Sequence, residues 1–152
     1  MTSSRSYRVA AEQAFDRLLP LPLEQFFSRR YGPIPAIRST DGPAEPWGVV
    51  GQRRTVRMAD GGTVQEELTS VERPAAFGYT LSKVTGPLKP LASHIDGVWS
   101  FDADGSGTRI TWTWTMYPAS ALSAPLLPVF RSLWRGYAKR ALDRLEPLLL
   151  AG

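Results

Sequence analysis

The stretch Gly107-Thr108-Arg109-Ile110-Thr111-Trp112-Thr113-Trp114-Thr115-Met116-Tyr117 alternates large apolar side chains with threonine and arginine. Alternation with a period of two marks a half-buried strand, because successive side chains point to opposite faces of a sheet. Ile110, Trp112, Trp114 and Met116 therefore share one face, and the branched threonines suit the other. Just upstream, Asp102-Ala103-Asp104-Gly105-Ser106-Gly107 is turn chemistry, so Ile95 to Phe101 is predicted to be the partner strand of a hairpin.

Further strands are predicted toward the N-terminus. They run over Gln52 to Met58, Thr63 to Val71 and Phe77 to Val84, separated by Asp60-Gly61-Gly62 and by Arg73-Pro74, and the Gly86 to Pro90 loop leads into the hairpin. Ser6 to Ala10 reads as a first strand and Glu12 to Leu19 as a helix with Phe15, Leu18 and Leu19 on one face. Pro20 and Pro22 interrupt it, and Leu23 to Tyr31 is predicted as a second helix with Pro22 at its start, where a missing N–H costs nothing. Gly32 to Gly48 is rich in proline and glycine and carries one short strand at Ile37 to Thr40. On the other side, Pro118 ends the sheet. Ser123 to Leu150 then repeats Leu126, Phe130, Leu133, Trp134, Tyr137, Ala141 and Leu145 at helical spacing, with Pro125, Pro128 and Pro147 predicting irregular ends. The expectation is one α+β domain over residues 1–152, a curved antiparallel sheet wrapped around a long C-terminal helix, with two short helices after the first strand.

Composition narrows the function. A chain of 152 residues, 43% hydrophobic and 21% charged, can bury about two-thirds of its unfolded surface without disulfides or metals. No stretch approaches the ~20 apolar residues of a membrane span, and Met1 to Arg8 is not a charged-then-apolar leader, which predicts a cytoplasmic protein without integral membrane association. With no cysteine, thiol nucleophiles and Cys-based metal sites are excluded. The net charge of +4 raises nucleic acid as a partner, but the arginines are scattered. Arg131, Arg135 and Lys139 form the one near-stripe and read as a solvated helix face, so no nucleic-acid partner is expected.

The order of elements, together with Val71-Glu72-Arg73-Pro74, Phe77-Gly78-Tyr79 and Gly107-Thr108-Arg109-Ile110-Thr111-Trp112-Thr113, resembles the SRPBCC superfamily, the START or Bet v 1-like helix-grip proteins, in its polyketide cyclase/dehydrase-like subgroup. The resemblance spans nearly the whole chain. It implies a cavity between sheet and helix; no cofactor is expected. A bent sheet folded over one helix leaves space that the facing side chains partly fill. The facing positions are Phe77, Tyr79, Leu81, Trp99, Phe101, Trp112, Trp114, Met116, Phe130, Trp134 and Tyr137, a lining suited to a small hydrophobic or aromatic ligand. The same aromatics at the same spacing can also fill a core completely.

Groups for chemistry are few. His94 is the sole histidine, which excludes a two-histidine metal site, and alternation with Ile95, Trp99 and Phe101 sends it outward unless Gly97 marks a bulge. Glu66 and Glu67 are adjacent in a strand, so one faces each side, with Arg53, Arg54 and Arg57 as cross-strand partners. Two solvent-exposed ion pairs are the simpler arrangement; an inward carboxylate would hold a ligand's polar end or serve as an acid for aldol-type cyclisation and dehydration. Tyr79 joins an apolar ring to a hydroxyl and is the first choice for a ligand hydrogen bond. Neither a nucleophile elbow nor a phosphate loop occurs, and Asp102 and Asp104 belong to a turn, so no metal is expected. Three functions remain open: binding of a small hydrophobic molecule, a cyclase/dehydrase-like enzyme using His94, Glu66, Glu67 or Tyr79, and an interaction module with a filled core that uses the Gly32 to Gly48 loop.

Overall fold

The computed structural model describes residues 1–150. In chain order they form β1 (Thr2–Tyr7), α1 (Ala11–Leu18), β2 (Ile37–Asp41), β3 (Arg53–Met58), β4 (Thr63–Glu72), β5 (Ala76–Ser82), β6 (Ala92–Asp104), β7 (Gly107–Pro118) and α2 (Leu127–Leu150). The strands make one antiparallel sheet in the order β1-β7-β6-β5-β4-β3-β2. The curved sheet closes over α2, giving the helix-grip architecture.

Alternation sets which face meets the helix. Tyr79, Gly97 and Trp114 form one cross-strand row, and Phe77, Trp99 and Trp112 form the next. From α2, Trp134, Ala138, Ala141, Leu142 and Leu145 bury a face against this sheet. Each large apolar side chain so buried contributes about 1.5–3 kcal/mol. β1 is stitched to α2 as well. The Tyr7 hydroxyl donates to the Leu142 carbonyl, and Arg5 reaches Asp143 and Glu146.

Four sequence expectations shift. β1 lies at Thr2–Tyr7, ahead of Ser6 to Ala10, because its register against β7 runs from Thr2 opposite Thr113 to Tyr7 opposite Thr108. Val9 leaves the strand but stays buried, its carbonyl taking a 2.7 Å bond from the Thr108 hydroxyl. The second helix shrinks to a 3-10 turn over Leu23–Gln25. Phe26 and Phe27 both turn into the core, and the Phe27 carbonyl accepts from Ile37 N–H at 2.9 Å, which commits the chain to β2. Leu126 is 52% exposed, since regular helix begins only at Leu127. At the other end α2 runs through Pro147 to Leu150 instead of fraying there.

Candidate functional site

Between the sheet and α2 lies a cavity of about 200 Å³. The β5 residues Phe77, Tyr79 and Leu81, Trp99 of β6, Trp112 and Trp114 of β7, and Phe130 and Tyr137 of α2 line it. Three of the expected lining residues do not. Phe101 sits one row beyond Trp99 and packs edge-on against Phe15 of α1, 5.3 Å between centroids. Met116 pairs with Ile95 at the opposite end of the β6–β7 ladder. Trp134 is fully buried behind Trp112 and Trp114, at 4.9 and 5.9 Å between centroids, as their backing. Its indole N–H has no hydrogen-bond partner among the described residues.

Much of the lining comes from outside the predicted strands and the long C-terminal helix. Leu21, Leu23, Phe26 and Phe27 precede β2, and Pro33, Ile34 and Pro35 follow in a turn closed by paired Tyr31 and Ile34 hydrogen bonds. Tyr31 lies flat on α2 at Gly136, where an added Cβ would overlap its hydroxyl. Asp60, Pro87, Leu88 and Leu91 complete one end, and their loops are tied together by Ala59 N–H to the Ala36 carbonyl and Thr85 N–H to the Thr63 carbonyl, both 2.9 Å. The readable signal for the β3 and β4 lining was parity: Arg54, Val56 and Met58 share one face, as do Val64 and Glu66.

The aromatic wall is ordered by hydrogen bonding. The Tyr79 hydroxyl accepts from Trp112 Nε1 and Trp114 Nε1, each at 2.8 Å. The glycine opposite makes this possible. A Cβ on Gly97 would overlap Tyr79 Cζ, so the phenol crosses the neighbouring strand only where no side chain stands. Burial pushes the Tyr79 phenol well above its ordinary value, with the nearby Glu66 charge adding to the shift, so it remains protonated at neutral pH. Its own O–H hydrogen has no acceptor among the described residues. Trp99 and Trp112 stack at 5.0 Å and 7°.

The polar end is an ion pair. Arg54 Nε donates to Glu66 Oε1 at 2.6 Å, with the two side chains 7% and 5% exposed, and both line the cavity. Trp47 covers the guanidinium at 4.2 Å. The contact is single-pronged: the terminal nitrogens of Arg54 form no hydrogen bond with any described residue. Burial raises the Glu66 carboxyl above its ordinary value, and Arg54 offsets only part of that. The expected pair of exposed bridges is thus half right. Glu67 faces out and pairs with Arg53 at 2.6 Å, with side chains 39% and 69% exposed. His94 is also outside the cavity. It stacks on Tyr117 at 4.2 Å, and Asp96 accepts from the Thr80 hydroxyl at 2.7 Å.

A family model described as "Polyketide cyclase / dehydrase and lipid transport" matches residues 1–149. Among curated proteins, none matches the chain in sequence. Solved structures that resemble it include Ara h 8.0201, with TM-score 0.70 and 18% identity over 100% of this chain and 97% of that one. Major latex-like protein 151 from Panax ginseng has TM-score 0.70 and 14% identity, covering 99% and 96%. TTHA0849 from Thermus thermophilus has TM-score 0.70 and 19% identity, covering 99% and 97%. At these identities the likeness speaks for the fold.

Proposed function

The chain belongs to the polyketide cyclase/dehydrase and lipid transport family of the SRPBCC superfamily, and from that membership we propose that it binds a small planar molecule, largely apolar, with one polar group. The observation that carries this is the pairing of an apolar cavity with Arg54 and Glu66 at one point of its wall. A buried charge pair with unused donors offers a ligand acceptor what the lining lacks elsewhere. A cavity of about 200 Å³ suits one or two fused rings, given that a dry cavity of roughly 150 Å³ holds benzene. An open cavity also weighs against the interaction module, which requires a filled core.

Calorimetric titration of naphthol and naphthoate tests it. Both are expected to bind, naphthoate more tightly, and Val64→Phe, which fills the cavity from β4, is expected to abolish binding while the fold is kept. Failure of wild type to bind either, with no small molecule retained in native mass spectrometry, would sink the reading.

A second reading is favoured by one observation, the raised carboxyl of Glu66 beside Arg54. Such a group takes a proton from carbon next to a carbonyl and later returns it to a departing hydroxyl, which leaves as water. Arg54 and the Tyr79 O–H would steady the enolate oxygen. The readout is exchange of the methyl protons of bound acetylnaphthalene in heavy water. Catalysed exchange in wild type, lost in Glu66→Gln with binding kept, supports enzyme chemistry; equal exchange in both refutes it.

A further inference from the structure

A second concavity, of about 510 Å³, lies on the outer side of α2 and is lined by Gln25, Ser28, Arg29, Arg140, Asp143, Arg144, Pro147 and Leu148. Its chemistry is opposite to that of the internal cavity. Arg140 and Arg144 are one helical turn apart on α2, and Arg29 arrives from the segment after the 3-10 turn. The acid beside them is engaged elsewhere: Asp143 Oδ1 stands 3.6 Å from Arg5, and its Oδ2 3.3 Å from Lys139. Arg29, Arg140 and Arg144 have no carboxylate within 4.0 Å among the described residues. Arg144 is further held in place by a 3.4 Å bond to the Phe26 carbonyl. Its guanidinium is pushed below its ordinary value by burial first and then by Arg29, with Arg140 adding to the shift while Tyr137 and Asp143 oppose it, so the like charges that converge here are compensated only in part.

We propose that this pocket is an anion site for a small molecule bearing a terminal phosphate monoester. Three guanidiniums, the Ser28 hydroxyl and the Gln25 amide supply more donors than the two oxygens of a carboxylate can use. A phosphate monoester brings three acceptor oxygens and a charge of about −1.5 to −2. Guanidinium forks meet such oxygens in pairs, and arginine is weakly hydrated, which lowers the cost of stripping water from the site. Pro147 and Leu148 form an apolar flank for the body of the ligand. The site does not depend on the ligand-binding reading of the internal cavity, with which it shares no lining residue.

The test is an NMR titration at constant ionic strength, with phenyl phosphate as the soluble source and vesicles containing phosphatidate as the membrane source of the same group. Arg29→Gln/Arg140→Gln removes two cations with no ion pair among the described residues, and Arg38→Gln, an exposed arginine on β2, is the charge control. Saturable binding of either probe, weakened about tenfold or more in the double variant and unchanged in the control, is the expected result. The arm that binds names the source. Equal affinity in wild type and the double variant, equal weakening by Arg38→Gln, or no saturable binding to either probe overturns the proposal.

Discussion

The two faces of the β3–β4 ladder carry the same chemistry one residue apart and put it to different use. Arg53 faces Glu67 and Arg54 faces Glu66, each pair closed at 2.6 Å. Outside, the pair sits in water, where Coulomb attraction is weak and side-chain entropy opposes it. Inside, the same pair has lost its solvent, and each charge depends on the other. Geometry alone would rank the two equal; burial separates them. The outer pair decorates the sheet, whereas the inner pair makes the cavity's polar point.

The largest effect expected from breaking this comparison is Arg54→Ala, which leaves Glu66 buried without its partner. It should cost about 3–5 kcal/mol in denaturant unfolding near neutral pH. Arg54→Met combined with Glu66→Met should restore most of that stability while removing the preference for naphthoate, separating the pair's structural from its binding role. If Arg54→Ala costs no more than its outer counterpart, the inner site is wetter than its burial implies.

Next comes the aromatic wall, which shares the inner face. Gly97→Ala drives a Cβ into Tyr79 and should cost about 1–3 kcal/mol, with altered tryptophan emission as the indole bonds to Tyr79 are displaced. The outer-face substitution His94→Ala, removing a ring that stacks on Tyr117 and meets the exposed Ser93 hydroxyl, should fall within about 0.5 kcal/mol of wild type.

A pH series sharpens the contrast further. Burial raises Glu66 in the folded state, so the folded protein holds this proton more tightly than the unfolded chain does. The stability Glu66 contributes is therefore present below its ordinary value of 4.5 and is lost as pH rises through the raised folded value. Wild type measured against Glu66→Gln should lose relative stability across that window. A relative gain would mean that Arg54 outweighs desolvation. On the outer face, Arg53→Ala should cost no more than about 1 kcal/mol.

The sheet was legible because β6 and β7 alternate without interruption from Ile95 to Tyr117 apart from one turn. Tyr79 was legible as a hydrogen-bonding group, though as an acceptor from two indoles it was not, since that depends on Gly97 standing opposite. Alternation assigns a face and says nothing of position along the strand. That is why Phe101 and Met116 face the interior side yet miss the cavity, and why Trp134 backs the wall instead of forming it. Arg53 and Arg54 offered Glu66 and Glu67 equivalent partners, so pairing could not tell inside from outside. Parity with Val64 and Leu68 does, once it is given priority over charge. The Leu23 to Tyr31 helix failed for a nonlocal reason: the Phe27 carbonyl is taken by Ile37, ten residues on.

The sheet order sets a timetable for synthesis. β1 is made first, yet its only neighbour in the sheet is β7, whose partner residues lie more than a hundred positions later. The intervening strands can pair successively as hairpins while the chain emerges. The first strand must wait, its backbone donors and acceptors open to any other edge it meets. On the ribosome, β1 is therefore the strand of this sheet for which a chaperone has the longest opportunity to act.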